Sequence, residues 1–508
     1  MIRLRGRHKQ RRGTRPGAKV EAPSVVASTE LSDFVVVANR LPFEAHHGAD
    51  GDTTWVRSPG GLVSALEPIL HEHDCVWVGW SGLSVDAKTY YDDGELGDPS
   101  DMPSRIDSCR LHNVELTSDE VEAYYAGFAN SALWPLYHDG VAARIYDRNQ
   151  WAAYRLVNSR FATEIASVAA PNATVWIHDY HLQLVPQYLR ALRPDLRIGF
   201  FLHIPFPPAE LFAQLPWRRE VLYGLLGADL IGFQVPGAVR NFLHLTERLL
   251  GLPVRGDRVL LPDGDSTRSV RVADFPVSID TKRIDEIARD PIVRARAEQI
   301  RKEMGDPRIV MLGIDRLDYT KGIDVRLSAF AELLLSGELE PDDAVFVQIA
   351  TPSREGIDEY QRIRREIELT IGRVIGEHAR VGSPPIHYLH QTFDVEELVA
   401  FYVAADIMLV TPLRDGMNLV AKEYVAARPF EDGALVLSEF AGAALELPEA
   451  WIVNPYDADA VKAAIMGAVN SDMRERKRRM SAMRQTLFHH DVSKWAHDFL
   501  SALAEEAG

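Results

Sequence analysis

Short apolar runs alternate along this chain with segments of helical spacing, the pattern of a parallel α/β protein. In the first half the predicted strands are DFVVVANR (33–40), CVWVGW (75–80), TVWIHDY (174–180), RIGFFLHI (197–204) and ADLIGFQ (228–234). In the second half they are RIVMLGI (308–314), AVFVQIA (344–350), IHYLHQ (386–391), ADIMLVT (405–411) and ALVLSEF (434–440). After ADIMLVT, residues Met417, Val420, Ala421, Tyr424 and Val425 recur at i, i+3, i+4, i+7 and i+8, one apolar stripe of a helix that Pro429 stops. Between the two sets of strands, PVRGDRVLLPDGDSTRS from Pro253 reads as a polar connecting piece. The pattern therefore predicts two α/β domains meeting near residue 280, and VSKWAHDFLSALA from Val492 predicts a terminal amphipathic helix.

Charged and aromatic residues gather where the strands stop. The first strand ends in Asn39-Arg40, the third in His178-Asp179-Tyr180-His181, and the fourth in His203 followed by IPFPP. In the second half, Asp315-Arg316-Leu317-Asp318-Tyr319-Thr320-Lys321-Gly322, Thr351-Pro352-Ser353-Arg354 and Arg414-Asp415-Gly416 occupy the same kind of place. Ligands of open parallel sheets bind beyond the carboxyl ends of the strands, so these ends predict a charged cleft. Arg316 and Lys321, ahead of a helix from Ile323, suit a diphosphate clamp of two cations plus helix N–H groups, although solvated surface charge gives the same pattern. The Ser58-Pro59-Gly60-Gly61-Leu62 turn is either plain turn chemistry or a close backbone approach to phosphate.

Composition narrows the class. The 508 residues carry a net charge of −17, and residues 1–20 hold eight Lys/Arg with no acid, which leaves −25 for the rest. An acidic body argues against nucleic acid as a partner. The basic head has a twin arginine, Arg11-Arg12, but Glu21, Glu30 and Asp33 interrupt any apolar export segment, so residues 1–32 are expected to form a disordered basic tail. No stretch approaches a membrane span. The two cysteines, Cys75 and Cys109, lack CxxC spacing and fit a reducing cytoplasm with no disulfide framework or zinc site. His178 and His181 lack a third ligand, so no metal is expected there. GxGxxG and GxxxxGK[ST] are both absent.

The ordered motifs VVVANRLP, SPGGL, VWIHDYHLQLVP, IGFFLHIPFP, GIDRLDYTKG, IATPSREG and TPLRDGMNLVAKEYVAA resemble the trehalose-6-phosphate synthase family from about residue 33 to about residue 500. The resemblance implies a retaining glucosyltransferase of GT-B fold: two facing Rossmann-like domains with the active site between them. It implies an acceptor domain over 33–280, a nucleotide-sugar domain over 281–487, and a helix over 488–508 returning to the first domain. Glucose is implied to pass from a nucleotide-glucose (UDP- or ADP-glucose) to glucose 6-phosphate, giving α,α-trehalose 6-phosphate without a metal or other cofactor. Family members are often tetramers, so a homotetramer in the cytoplasm is expected. The resemblance carries the acceptor phosphate to Arg40 and Arg354, and the acceptor sugar to Tyr125, Trp134 and Asp179. It carries the donor diphosphate to Gly60, Gly61, Arg316 and Lys321, and the transferred glucose to Asp415 and His203. Gly416, Asn418, Leu419 and Val420 are implied at the diphosphate, Glu423 at the ribose, and Phe393 near the base. Front-face attack and a carboxylate nucleophile are both compatible with these residues, Asp179 standing where a base would act. Another phosphorylated acceptor, or a non-catalytic sugar-phosphate sensor, are the alternatives. The sequence gives no role to Arg414 or Lys422.

Overall fold

A computed structural model describes residues 30–47, 53–58, 63, 65–66, 74–85, 102–140, 146–264, 266–353, 358–380 and 382–506. The basic tail up to residue 29, Gly60, Gly61 and Arg354 lie outside the described residues. The first half contributes β1 (Ser32–Arg40), a hairpin of β2 (Phe43–His47) and β3 (Thr53–Arg57), then β4 (Val76–Trp80), β5 (Arg105–Ile106) and β6 (Cys109–Asn113). Next come β7 (Ala169–His178), β8 (Arg197–Phe201), β9 (Leu230–Phe233), β10 (Val254–Arg255), β11 (Arg258–Asp263) and β12 (Ser266–Asp274). The second half contributes β13 (Ile309–Arg316), β14 (Ala344–Thr351), β15 (Ile386–Leu389), β16 (Ile407–Val410), β17 (Ala434–Ser438) and β18 (Trp451–Val453).

Each half folds into its own sheet. The first runs β10-β11-β12-β9-β8-β7-β1-β4-β6-β5, parallel from β12 to β6, and the second runs β15-β14-β13-β16-β17-β18, parallel throughout. Val35, Val36 and Val37, like Leu435, Val436 and Leu437, are fully buried, because helices cover both faces of such sheets and every side chain meets the core. Among the parallel strands of each sheet the order reverses once, beside β1 and β7 in the first and beside β13 and β16 in the second. The reversal splays the loops at the carboxyl ends apart and opens a crevice, so topology alone puts Arg40, Asp179, Lys321 and Asp415 at crevice mouths.

All ten expected strands are present, and two expectations are corrected. The piece from Pro253 is not a polar connector: β10, β11 and β12 form there, and Val259, Val270 and Val272 are fully buried on the first sheet. Isolated polar residues on the exposed face mask its alternation. Cys75 and Cys109 are not free thiols but a disulfide. Parallel pairing of β4 with β6 sets Val76 beside Arg110, which brings the preceding cysteines to a Cα–Cα separation of 4.5 Å across 34 residues. Only the strand pairing reveals that proximity.

The terminal helix Val492–Glu505 packs on the first sheet, not the second. Phe499 stacks on Trp176 at 4.8 Å, and Cβ atoms added at Gly199 or Gly232 would meet Phe499 at 2.8 and 2.7 Å. The chain thus crosses between the halves twice, at residues 275–280 and at 489–491.

Candidate active site

Asp415 lies after β16 in the turn before the helix Leu419–Ala426. Its Oδ2 accepts from Lys321 Nζ at 2.6 Å and from Asn418 Nδ2 at 3.1 Å, and its own N–H donates to Phe440 O at 3.1 Å. Burial would raise the Asp415 carboxyl, but the charge and hydrogen bond of Lys321, with Asn418, outweigh it and hold the group below the usual carboxylate value. Asn418 adopts a left-handed backbone (φ 81°), and its Oδ1 caps the helix by accepting from Ala421 N–H at 3.1 Å. That conformation, tolerated best by Asn and Gly, lets one residue serve the helix start and Asp415 together.

Lys321 is set by the turn after β13. Asp318 accepts from the N–H and hydroxyl of Thr320 and from Tyr360 OH. Gly322 then turns left-handed (φ 56°), where a Cβ would stand 2.1 Å from Thr411 O. Beneath it Arg326 is fully buried, bonded to Asp315, to Gln348 Oε1 at 2.8 Å and to Lys321 O at 3.1 Å. A further bond from this buried guanidinium to Thr411 Oγ1 at 3.3 Å fixes the β13 and β16 turns to each other. The sequence pattern does not mark Arg326, because it lies inside a helix and its partners come from three elements.

The first half supplies the facing wall. Arg40, at the end of β1, lays its guanidinium 4.6 Å over the Trp80 ring, and Trp80 meets Tyr125 edge-on at 5.9 Å. Tyr125 stacks on His181 at 5.6 Å. It belongs to the π-helix Val121–Leu133, whose wide turns lead directly into Trp134, and Tyr124 OH fastens that helix to Asn39 Oδ1 at 2.7 Å. Asp179 takes a left-handed backbone (φ 75°) and accepts from His203 N–H at 3.3 Å. Such strain, of order 1–3 kcal/mol, persists where the surroundings impose it and clusters at functional sites. The His203 ring meets His178 at 3.1 Å, and burial pushes His203 down to about 3 and His178 well below its usual value.

The two walls touch. Arg316 lies 5.5 Å over Trp134, Arg414 Nε stands 3.4 Å from Asp139 Oδ2, and a Cβ at Gly416 would meet His203 O at 2.1 Å. His138 joins this wall unpredicted: it bonds Trp134 O through Nδ1 at 2.8 Å, lies tilted against the Trp134 ring at 4.0 Å, and burial pushes it down to about 4. Its place four residues after Trp134 on a short helix was the available sequence signal.

The remaining expected residues border this cluster. Leu419 and Val420 open the capped helix, and Glu423, one turn on, accepts from Tyr402 OH at 2.7 Å, its carboxyl raised by burial. Phe393 packs against Phe401 at 5.4 Å beside the β15 end. Among the described residues, no group of three or more His, Cys, Asp or Glu side chains is arranged to hold a metal ion, and no helix is long and apolar enough to cross a membrane. A cationic pocket for a leaving phosphate, a capped helix start and a carboxylate thus face an aromatic and cationic wall, a geometry suited to group transfer from an anionic leaving group to a second anionic molecule.

Residues 32–505 match the model of glycosyltransferase family 20. The chain is 54% identical over 487 residues to a trehalose-6-phosphate synthase of Mycobacterium avium, covering 95% of this chain and 97% of that protein. A Burkholderia xenovorans α,α-trehalose-phosphate synthase (UDP-forming), solved in complex with glucose-6-phosphate, superposes with a TM-score of 0.80 at 32% identity, covering 93% of this chain and 99% of the other. The Escherichia coli protein bound with UDP-2-fluoro glucose superposes at 0.81 and 33% identity, covering 92% and 98%.

Proposed function

The chain belongs to glycosyltransferase family 20, and from that premise we propose that its cleft transfers glucose from a nucleotide-glucose to glucose 6-phosphate, forming α,α-trehalose 6-phosphate with retention. The observation that carries the reading is the Lys321–Asp415–Asn418 cluster at one switch point, facing Asp179, His203 and Trp134 from the other.

The donor diphosphate sits against Arg316, Lys321 and the N–H groups of Leu419 and Val420, where a helix start leaves donors without intrahelical partners. As the glycosidic bond to the diphosphate breaks, these cations and dipoles take up the developing charge, typically the largest catalytic term. Asp415, kept ionised, orients the transferred glucose through its hydroxyls, with His203 as a neutral partner. Glu423 receives the ribose, and Phe393 borders the base. Arg40 takes the acceptor phosphate with a guanidinium already flattened on Trp80, and Tyr125, Trp134 and Asp179 bracket the acceptor sugar. Arg354, Gly60 and Gly61 are assigned from the resemblance alone. The proposal includes a metal-independent reaction and a cytoplasmic homotetramer; a monomer in sedimentation equilibrium removes the tetramer.

The test is nucleotide release from UDP-, ADP- and GDP-glucose, with and without glucose 6-phosphate, repeated in EDTA. Release that needs glucose 6-phosphate and ignores EDTA is expected, and identifies the donor. Binding of glucose 6-phosphate without release from any donor overturns the reading in favour of a sensor. Asp415→Ala should cut transfer by roughly 100- to 1000-fold with the fold intact; near-normal turnover removes Asp415 from the site.

A further inference from the structure

Lys422 lies in the helix Leu419–Ala426, next to Glu423, yet it is fully buried and points away from the cleft-side groups. Its Nζ donates to Val277 O at 2.7 Å and to Glu446 Oε2 at 2.6 Å. Val277 belongs to neither sheet; it lies in the first chain crossing. On the other side of the same residue, Val277 N–H donates to Gln234 Oε1 at 2.9 Å, and Gln234 Nε2 donates to His203 O at 3.3 Å. Gln234 is itself buried after β9. The second crossing joins through Glu446, whose Oε1 meets His490 Nδ1 at 3.0 Å, and Val492 N–H donates to Ile279 O at 3.0 Å. One unbroken set of hydrogen bonds therefore runs from His203 in the first half, through both polar groups of Val277, to the donor-side helix and on to the returning chain.

A buried lysine–glutamate pair is weak evidence of stabilisation, because desolvating two charges offsets their attraction and apolar replacements are often neutral. What this one provides is directional: a lysine carries three N–H donors, and here two of them tie a helix to a linker carbonyl and to the neighbour of the second crossing. We infer that Lys422 and Gln234 are positioning residues that register the donor helix and His203 against a common residue, Val277, so that a nucleotide seated on the helix start is felt at both chain crossings. A small shift of the helix on binding alters a linker residue that both halves grip, which makes donor occupancy and approach of the acceptor wall coupled events. The inference rests on the reading that the donor nucleotide occupies this helix start.

The probe is UDP, and the readout is amide hydrogen exchange in the full-length protein with and without saturating nucleotide, alongside steady-state kinetics. In the unsubstituted protein, UDP is expected to slow exchange about tenfold both at 419–426 and at the crossings, 276–281 and 489–492. The double substitution Lys422→Met with Glu446→Leu removes the pair without stranding a buried charge. It should keep UDP affinity within about threefold, lose the protection at the crossings, and lower kcat for transfer about tenfold while the KM for glucose 6-phosphate changes little. His490→Ala, at the accessible end of the network, should lose protection at 489–492 alone, and it supplies the same test if the double variant fails to fold. Failure of UDP, and of ADP and GDP in its place, to protect 419–426 defeats the functional reading. Protection of that helix without protection of the crossings, or protection and kcat both retained in the double variant or in His490→Ala, overturns the coupling and leaves Lys422 a packing residue.

Discussion

At the scale of single residues, three histidines carry the clearest pH prediction. Burial depresses His138 to about 4, His203 to about 3 and His178 well below its usual value, whereas in the unfolded chain each titrates near 6.5. Unfolding between those limits takes up protons, so stability falls as pH drops below about 6.5 and the loss continues toward the folded values. Denaturant titrations from pH 7 to 5 should show that decline, shallower in His138→Gln; an unchanged slope contradicts the neutral assignment. The Asp415 carboxyl acts in the same direction at lower pH: its folded pKa is depressed, so its contribution is present above about pH 4 and fades only below. Gly416 is the other decisive residue, because an added Cβ meets His203 O at 2.1 Å. Gly416→Ala must separate the RDG turn from the opposite wall, and a misplacement near 1 Å costs about 100-fold in turnover. Kinetics with thermal unfolding checks this: kcat falls while the fold is retained.

At the scale of elements, parallel strands placed the chemistry and one unforeseen crosslink secured an edge. The Cys75–Cys109 bridge closes a loop of 34 residues between β4 and β6. Loop-closure entropy gives such a bridge about 3 to 4 kcal/mol, by constraining the unfolded chain. Cys75→Ala with Cys109→Ala should lower the unfolding free energy by about that amount and leave the donor-side residues undisturbed, since the second sheet has no part in the bridge. Chemical denaturation in the presence and absence of reductant measures it; equal curves show that the thiols do not pair in solution. The same strands explain which residues were legible. Asp415, Lys321, Asp179 and Arg40 stand at the carboxyl ends of apolar runs, so the sequence pattern located them. Arg326, His138 and Gln234 stand within or behind elements, where nothing local distinguishes them from ordinary polar positions.

At the scale of the whole molecule, the walls of the cleft meet through contacts that are individually weak. Arg414 and Asp139 stand 3.4 Å apart with 28% and 35% of their side chains exposed, a pair that contributes at most about 1 kcal/mol. Its place across the cleft matters more than its strength, because it joins the segment carrying Trp134 to the turn carrying Asp415. Arg414→Ala should therefore reduce turnover roughly fivefold with little change in melting temperature, the equivalent of about 1 kcal/mol. The exchanged pair, Asp139→Arg with Arg414→Asp, should recover part of the loss. No recovery in the exchanged pair removes the cross-cleft role and leaves Arg414 a surface residue.

Periodic and local features were legible in the order of residues alone: ten strands from their apolar runs, the helix after Asp415 from its stripe and stop, and a charged cleft from the residues at each strand's carboxyl end. That order also carried the family, because long ordered motifs survive independently of how they pack. Tertiary structure decided what depends on residues far apart in the chain. The bridge of Cys75 to Cys109 needs the β4–β6 pairing, the strands after Pro253 need a sheet edge to join, and the meeting of Lys422, Val277 and Gln234 needs two domains already docked. Hydrophobic periodicity reports which face of an element is buried, not which partner buries it, and those partners set the geometry of this site.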